Sequence, residues 1–263
     1  MIEKNEQRNH TRDRQAVIRR ELEWHEHEAN RRIPLDKLLY DPPAFDSVVQ
    51  SGIKYLQSQF GERVLEMGCG EGKEVLALAR LGLKVIGVDL SHVQLMRVRQ
   101  LIENASPAGP VYLVQASAEQ LPFAADSFRI LYGKAILHHL NLETAAAETR
   151  RVLWNDGRAT FAEPLAHHPI FWLGRRLTPR LHTRDERPFP LSSFRRFAAP
   201  FSQYQIETAF LFAPLAYPIR RMRGGEKAFQ RIHAMLQQID DWLFAHIPIL
   251  RRLAWYGTVK VQK

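Results

Sequence analysis

From position 63 onward, short apolar runs alternate with longer stretches in which apolar residues recur every third or fourth place. The runs "RVLEMG", "KVIGVDL", "VYLVQA", "SFRILYGKA" and "GRATFAEP" have the length and continuity of buried strands. Between them, "KEVLALARLG", "SHVQLMRVRQLIENA" and "LETAAAETRRVL" have the period of amphipathic helices. Ser91 stands where a helix needs an N-cap, Gly82 closes the first helix, and the turn "NDG" leads into the fifth strand. Continuously apolar strands separated by helices predict a parallel sheet covered on both faces.

The flanks read differently. The first 30 or so residues are a charged helix with one narrow apolar face, "DPP" at 41–43 stops any helix, and a short helix follows over 45–57. After Pro164 the alternation breaks into a proline-studded stretch over 165–190. A sixth strand is predicted in "SQYQIETAFLF" and a last one in "LAWYGTVKVQ". Between them "EKAFQRIHAMLQQIDDWLFAHI" sets Phe229, Ile232, Leu236, Ile239 and Leu243 on one helical face. The expected organisation is an N-terminal helical cap or lid over 1–60 and a Rossmann-like core over 61–164. Residues 165–263 are expected to form an acceptor cap together with strands six and seven of the same domain.

Composition narrows the class. A chain of 263 residues, 45% apolar and 25% charged, can bury a large core, so disorder is not the expectation. The single cysteine, Cys69, excludes an internal disulfide framework and any cysteine-cluster metal site, and is expected to pack. The polar N-terminus lacks the apolar core of a signal peptide, and no run approaches a membrane span, which predicts a cytoplasmic protein. The net charge of +9 is uneven: residues 171–263 carry 16 Lys/Arg against 6 Asp/Glu.

The chemistry begins in "VLEMGCGEG". Gly68, Gly70 and Gly72 strip the first strand-to-helix turn of side chains, which allows a tight bend and close approach of a ligand to the backbone. Glu66 stands just before this turn, where it repels a pyrophosphate and attracts an ammonium group. Asp89 ends the second strand, the place from which a carboxylate accepts hydrogen bonds from ribose hydroxyls. An adenosine joined to a cationic amino acid fits both acids, which points to S-adenosylmethionine (SAM).

With "VIGVDLS", "ASAEQLPFAADSFRILYGKAILHHL" and "ETRRVLWNDGRATFAEP", this stretch resembles the class I SAM-dependent methyltransferases. The similarity covers roughly 63–164 and is strongest to the small-molecule branch that includes ubiquinone and menaquinone C-methyltransferases. The resemblance implies an α/β, doubly wound sheet of seven strands with an antiparallel last strand, plus helical cap insertions. It also implies methyl transfer from a sulfonium. It sets Glu66 and Gly68 near the methionine part, Gly70 at the turn, and Asp89 and Leu90 at the ribose and adenine. Ala118 and Glu119 would flank the adenine edge, and Gly133 and Lys134 would close the pocket. Two positions depart from the family: Ser117 stands where an acid is usual, and Arg129 where "SFD" is common.

Methyl transfer depends mainly on alignment, and a base is needed only where the acceptor must lose a proton. His138 and His139 follow the fourth strand and Glu163 ends the fifth; each is a candidate base or an anchor for its loop. Tyr40 is a candidate to bound the sulfonium with its ring, or to pack as part of a lid. His25 and His27 lie two apart and cannot share a helix face, so no metal site is expected. Arginine doublets beside large apolar residues, as in "FWLGRRLTPRL" and "IPILRRLAWYG", suit an anionic membrane surface or an amphiphilic acceptor, or else form a solvated basic face. Peripheral attachment to the inner membrane surface therefore stands beside a purely cytoplasmic location. Two other readings stay open. One is a SAM-consuming cyclase or lyase that releases methylthioadenosine; the other is a non-catalytic nucleic-acid-binding module.

Overall fold

A computed structural model describes residues 16–17, 19–20, 22–23, 46–57, 60–177, 189–220, 222 and 224–263. Tyr40, the "DPP" stop, the His25/His27 pair and residues 178–188 fall outside the described residues. The described positions between 16 and 23 are helical, as the charge pattern there predicts.

The first packed helix is α1 (Asp46–Leu56). The alternating core follows as β1 (Arg63–Met67), α2 (Lys73–Arg80), β2 (Lys84–Asp89), α3 (His92–Ala105) and β3 (Val111–Gln115). It continues as β4 (Phe128–Lys134), α4 (Leu142–Val152) and β5 (Leu153–Pro164). Then come α5 (Pro169–Leu177), α6 (Leu191–Ala198), β6 (Gln203–Ala209), α7 (Gly225–His246) and β7 (Tyr256–Gln262). Local chemistry sets the helix starts: Ser91 Oγ accepts from Gln94 N at 3.3 Å, and Asn141 Oδ1 accepts from Thr144 N at 2.9 Å.

The seven strands lie in the order β3-β2-β1-β4-β5-β7-β6. β1 to β5 are mutually parallel where they pair, and β7 runs antiparallel to both β5 and β6. The doubly wound sheet with an antiparallel final strand is therefore the observed fold. Residues of alternate parity feed two cores. Val64, Ile130 and Tyr132 pack with α1, α2 and α3, whereas Leu65, Met67, Leu131 and Phe161 pack with α4 and α6.

Two predicted details change. The "NDG" turn does not precede β5 but lies within it, because pairing with β4 jumps from Phe128↔Leu153 to Ile130↔Arg158. Asp156 takes φ 64° there, so the turn residues form an irregularity in the strand and the strand starts four positions before 157. In α7 one predicted position departs: Phe229 is buried and Ile232, Leu236 and Leu243 pack partly buried against the core, whereas Ile239 is exposed and its neighbour Asp240 is fully buried. Asp240 accepts hydrogen bonds from the amides of Leu211, Phe212 and Ala213 at 2.8–3.0 Å. Those amides belong to the chain leaving β6, so one carboxylate fixes α7 at that end of the sheet.

That end matters for function. Pro164 of β5 and Ala209 of β6 both pair with Tyr256, the first residue of β7. The carboxyl ends of the parallel strands and of β6 thus lie along a single edge, with the loops after β1, β2, β4 and β5 opening there. In sheets of this class ligands bind at that edge, where the chain passes to opposite faces.

Candidate cofactor and active site

The glycine turn is fastened to β2. The amides of Gly68 and Cys69 both donate to Val88 O, at 2.8 and 3.0 Å. Gly68, Gly70 and Gly72 take φ of 71°, 45° and 77°, the left-handed region that side chains resist. Their surroundings separate their roles. A Cβ on Gly68 would meet Ile136 at 2.7 Å, and one on Gly72 would meet Val98 at 2.8 Å. A Cβ on Gly70 would meet nothing within 4 Å. The outer glycines are required by packing, and the middle one leaves open space against bare backbone.

Glu66 is 2% exposed, and its Oε2 has no hydrogen-bond partner. Burial pushes its carboxyl well above the usual 4.5; neighbouring Glu74 pushes the same way, Lys134 opposes, and Asp89 adds a smaller push. Lys134 Nζ is held by Glu74 Oε1 at 2.5 Å. Lys134 is thus engaged by Glu74, and Glu66 keeps a buried acceptor without a partner, the complement of a ligand carrying an ammonium.

Asp89 lies opposite. Its Oδ2 accepts from Gly70 N at 2.8 Å and its Oδ1 from Ser91 N at 2.9 Å. The carboxylate thus stiffens the glycine turn, and its remaining lone pairs can still accept from a ribose. Leu90 is anchored through its carbonyl, which accepts from Gln115 Nε2 at 3.1 Å. The turn after β3 closes through the Ser117↔Gln120 bridge, with Ser117 Oγ accepting from Glu119 N at 3.2 Å. Ala118 is buried beside it, and Glu119 Oε1 accepts from Asn141 N at 2.5 Å, which ties this turn to the start of α4. These residues fit the chemistry of SAM, which carries an ammonium, a sulfonium and a ribose.

The comparisons agree. Residues 65–161 match the family described as a methyltransferase domain. The similarity to class I SAM-dependent methyltransferases lies in this segment. The O-methyltransferase cnsE of Penicillium expansum is 33% identical over 120 residues, covering 45% of this chain and 43% of that one. The uncharacterized methyltransferase YcgJ of Bacillus subtilis is 29% identical over 186 residues, 67% of this chain and 70% of that one. Phosphoethanolamine N-methyltransferase 2 of Haemonchus contortus, solved with S-adenosyl-L-methionine, superposes with a TM-score of 0.59 at 17% identity. It covers 82% of this chain and 52% of that one. This chain spans under half the length of the fungal O-methyltransferases that it matches.

The carboxyl edge also holds a second cluster. Glu163 is fully buried at the end of β5. Its Oε1 accepts from the amides of Ile136 and Leu137 at 2.8 and 2.7 Å, and its Oε2 meets His138 Nδ1 at 2.6 Å. A carboxylate can only accept, so Nδ1 of the neutral ring carries the hydrogen and Nε2 the lone pair. The His138 and His139 rings lie 4.1 Å apart at 39°.

The sequence thus brings Glu66, Gly68, Gly70, Asp89 and Lys134 around one turn, and His138 onto Glu163 at the neighbouring loop. A Cβ on Gly133 would meet Phe161 at 2.5 Å and Ile136 at 3.2 Å, the side chain that Gly68 also approaches. Glu74 and Tyr132 were not singled out by sequence. Tyr132 pairs in register with Glu66, and its buried hydroxyl has no partner. Burial, with Glu74 and Glu66 nearby, raises that phenol well above 10.0, so it stays a donor. The β1–β4 register carries the signal for Tyr132, because it puts Glu66 and Tyr132 side by side. Nothing in the linear pattern links Glu74 to Lys134, 60 residues on.

Proposed function

We propose that this chain methylates a small or lipid-like metabolite at a nucleophile that must lose a proton, with His138 as the general base and Glu163 as its positioning residue. When bound, SAM supplies an electrophilic methyl group. Glu66 would hold its ammonium and Asp89 its ribose. The Gly70 backbone, bare of side chain, lets the ligand lie against the turn. His138 Nε2 takes the proton from a phenol, enol or acidic carbon as the acceptor aligns in line with the methyl group. The observation that carries this assignment is the threefold bonding of Glu163, which locks both the loop and the histidine tautomer.

The acceptor cap is assigned to residues 1–60 and to the segments around 165–190 and 214–250. The last of these is supported by Asp240, which holds α7 at the carboxyl edge. Incubating the protein with methyl-labelled SAM and an extract of small molecules tests the reading. The expected products are S-adenosylhomocysteine and an equal amount of one methylated metabolite. Release of methylthioadenosine without a methylated product would replace this reading with cyclase or lyase chemistry.

A further inference from the structure

Among the described residues no helix is long and apolar enough to cross a membrane, yet α7 presents a surface that a water-facing helix does not need. Asp240 marks its buried side. At about 3.6 residues per turn, Lys227, Arg231, Met235 and Trp242 fall on the opposite side, with Ile239 at its border. Met235 and Trp242 are 53% and 57% exposed, and Ile239 is 41% exposed. The apolar stripe continues past the helix end through Ile247 and Ile249, which are 42% and 58% exposed. Cations flank it at both ends: Lys227 and Arg231 on the first turns, and exposed Arg251 and Arg252 beyond. Asp241 borders the stripe on one side.

From this pattern we infer that the outer face of α7 is a docking surface for an anionic lipid bilayer. Indole and aliphatic side chains enter the headgroup boundary while the flanking cations meet lipid phosphates, the division of labour of an interfacial helix. Charge complementarity decides the occupant. A second copy of this chain would bring the same cations against each other, and a nucleic acid would want planar side chains among its cations. Trp242 offers one such face and already stacks on His246, whereas Met235, Ile239, Ile247 and Ile249 give a base nothing to stack on.

Location adds a reason. Asp240 fastens α7 to the residues that leave the carboxyl end of β6, so the docked helix sits at the edge where the acceptor is proposed to enter. An amphiphilic acceptor could then pass from bilayer to site without crossing water; this step rests on the proposed function, whereas docking itself does not.

Flotation of the full chain with phosphatidylcholine vesicles, and with phosphatidylcholine vesicles containing phosphatidylglycerol, tests the inference. Binding is expected to the anionic vesicles alone and to fall with salt. The pair Met235→Ser with Trp242→Ser, and the pair Lys227→Glu with Arg231→Glu, should each weaken it at least about tenfold. All four side chains are exposed, so melting temperature and the SAM-induced thermal shift should stay at the wild-type values. Loss of that shift in the wild type would instead count against the methyltransferase reading and leave docking to be judged by flotation. Equal binding to neutral vesicles, no binding, or a stable dimer abolished by Trp242→Ser would overturn the docking assignment.

Discussion

A carboxylate taken out of water without a partner keeps its proton, and Glu66 is in that position until a cation arrives. Its carboxyl is raised by burial and by Glu74, so in the free protein it is protonated well above 4.5. An ammonium beside it favours the ionised form and lowers that value again. The complex therefore binds fewer protons than the free protein, and SAM affinity should rise with pH until the free-protein value of Glu66 is passed. Calorimetry in buffers of different ionisation heat would register the released proton. Glu66→Gln should weaken SAM binding about 10–100-fold, the worth of a charged hydrogen bond, and flatten this pH dependence. Without ligand the sign is opposite: the stability that protonated Glu66 allows is lost as pH rises through its folded value, so Glu66→Gln should be the more stable apoprotein there. At the neighbouring loop, His138→Ala should lower kcat by about 10²–10⁴-fold while SAM affinity stays unchanged, read by steady-state rates and calorimetry on one preparation. Cys69, inside the same turn, packs in the core. Burial, then Asp89 and Glu66, push its thiol far up, so it should resist iodoacetamide at neutral pH and react only on unfolding, read by mass spectrometry.

At the scale of the element, three glycines that look alike in "GCGEG" answer to different constraints. Gly68 and Gly72 combine positive φ with a neighbour under 3 Å from any added Cβ, whereas Gly70 has the φ without the crowding. Gly68→Ala should destabilise by about 2–4 kcal/mol, measured by urea melts, and Gly70→Ala by about 1–2 kcal/mol with its larger effect on SAM binding. The β-α alternation was legible because each element carries its own period and caps, as Ser91 shows. What could not be read was tertiary. "NDG" has the composition of a turn, yet pairing with β4 continues across it and turns it into a strand irregularity. Ile239 fits the apolar period of α7, yet it is exposed, and its neighbour Asp240 is buried where three amides leaving β6 need an acceptor. The acids of the site were visible where a strand end marks them, at Glu66 and Asp89. The Lys134–Glu74 ion pair and the Tyr132 hydroxyl were not, because only the sheet register brings them to the turn. Asp240→Ala should cost at least about 3 kcal/mol in the same melts and loosen α7 first in hydrogen exchange.

Across the whole molecule, charge and chemistry meet at one edge of the sheet. The acids of the glycine turn draw a cation into the cofactor pocket, while the basic excess of residues 171–263 lies in the part that holds α7. On the proposed reading a single fold offers opposite fields to a cationic cofactor and to an anionic surface. Capture of the cationic cofactor by the glycine-turn acids underlies the rest. Titration of SAM into the full chain by calorimetry tests it most directly, with Glu66→Gln and Asp89→Ala measured beside the wild type. One molecule of SAM per chain, with affinity falling at least about tenfold in each variant, is the predicted result. No heat in the wild type, or equal affinity in all three proteins, would contradict it.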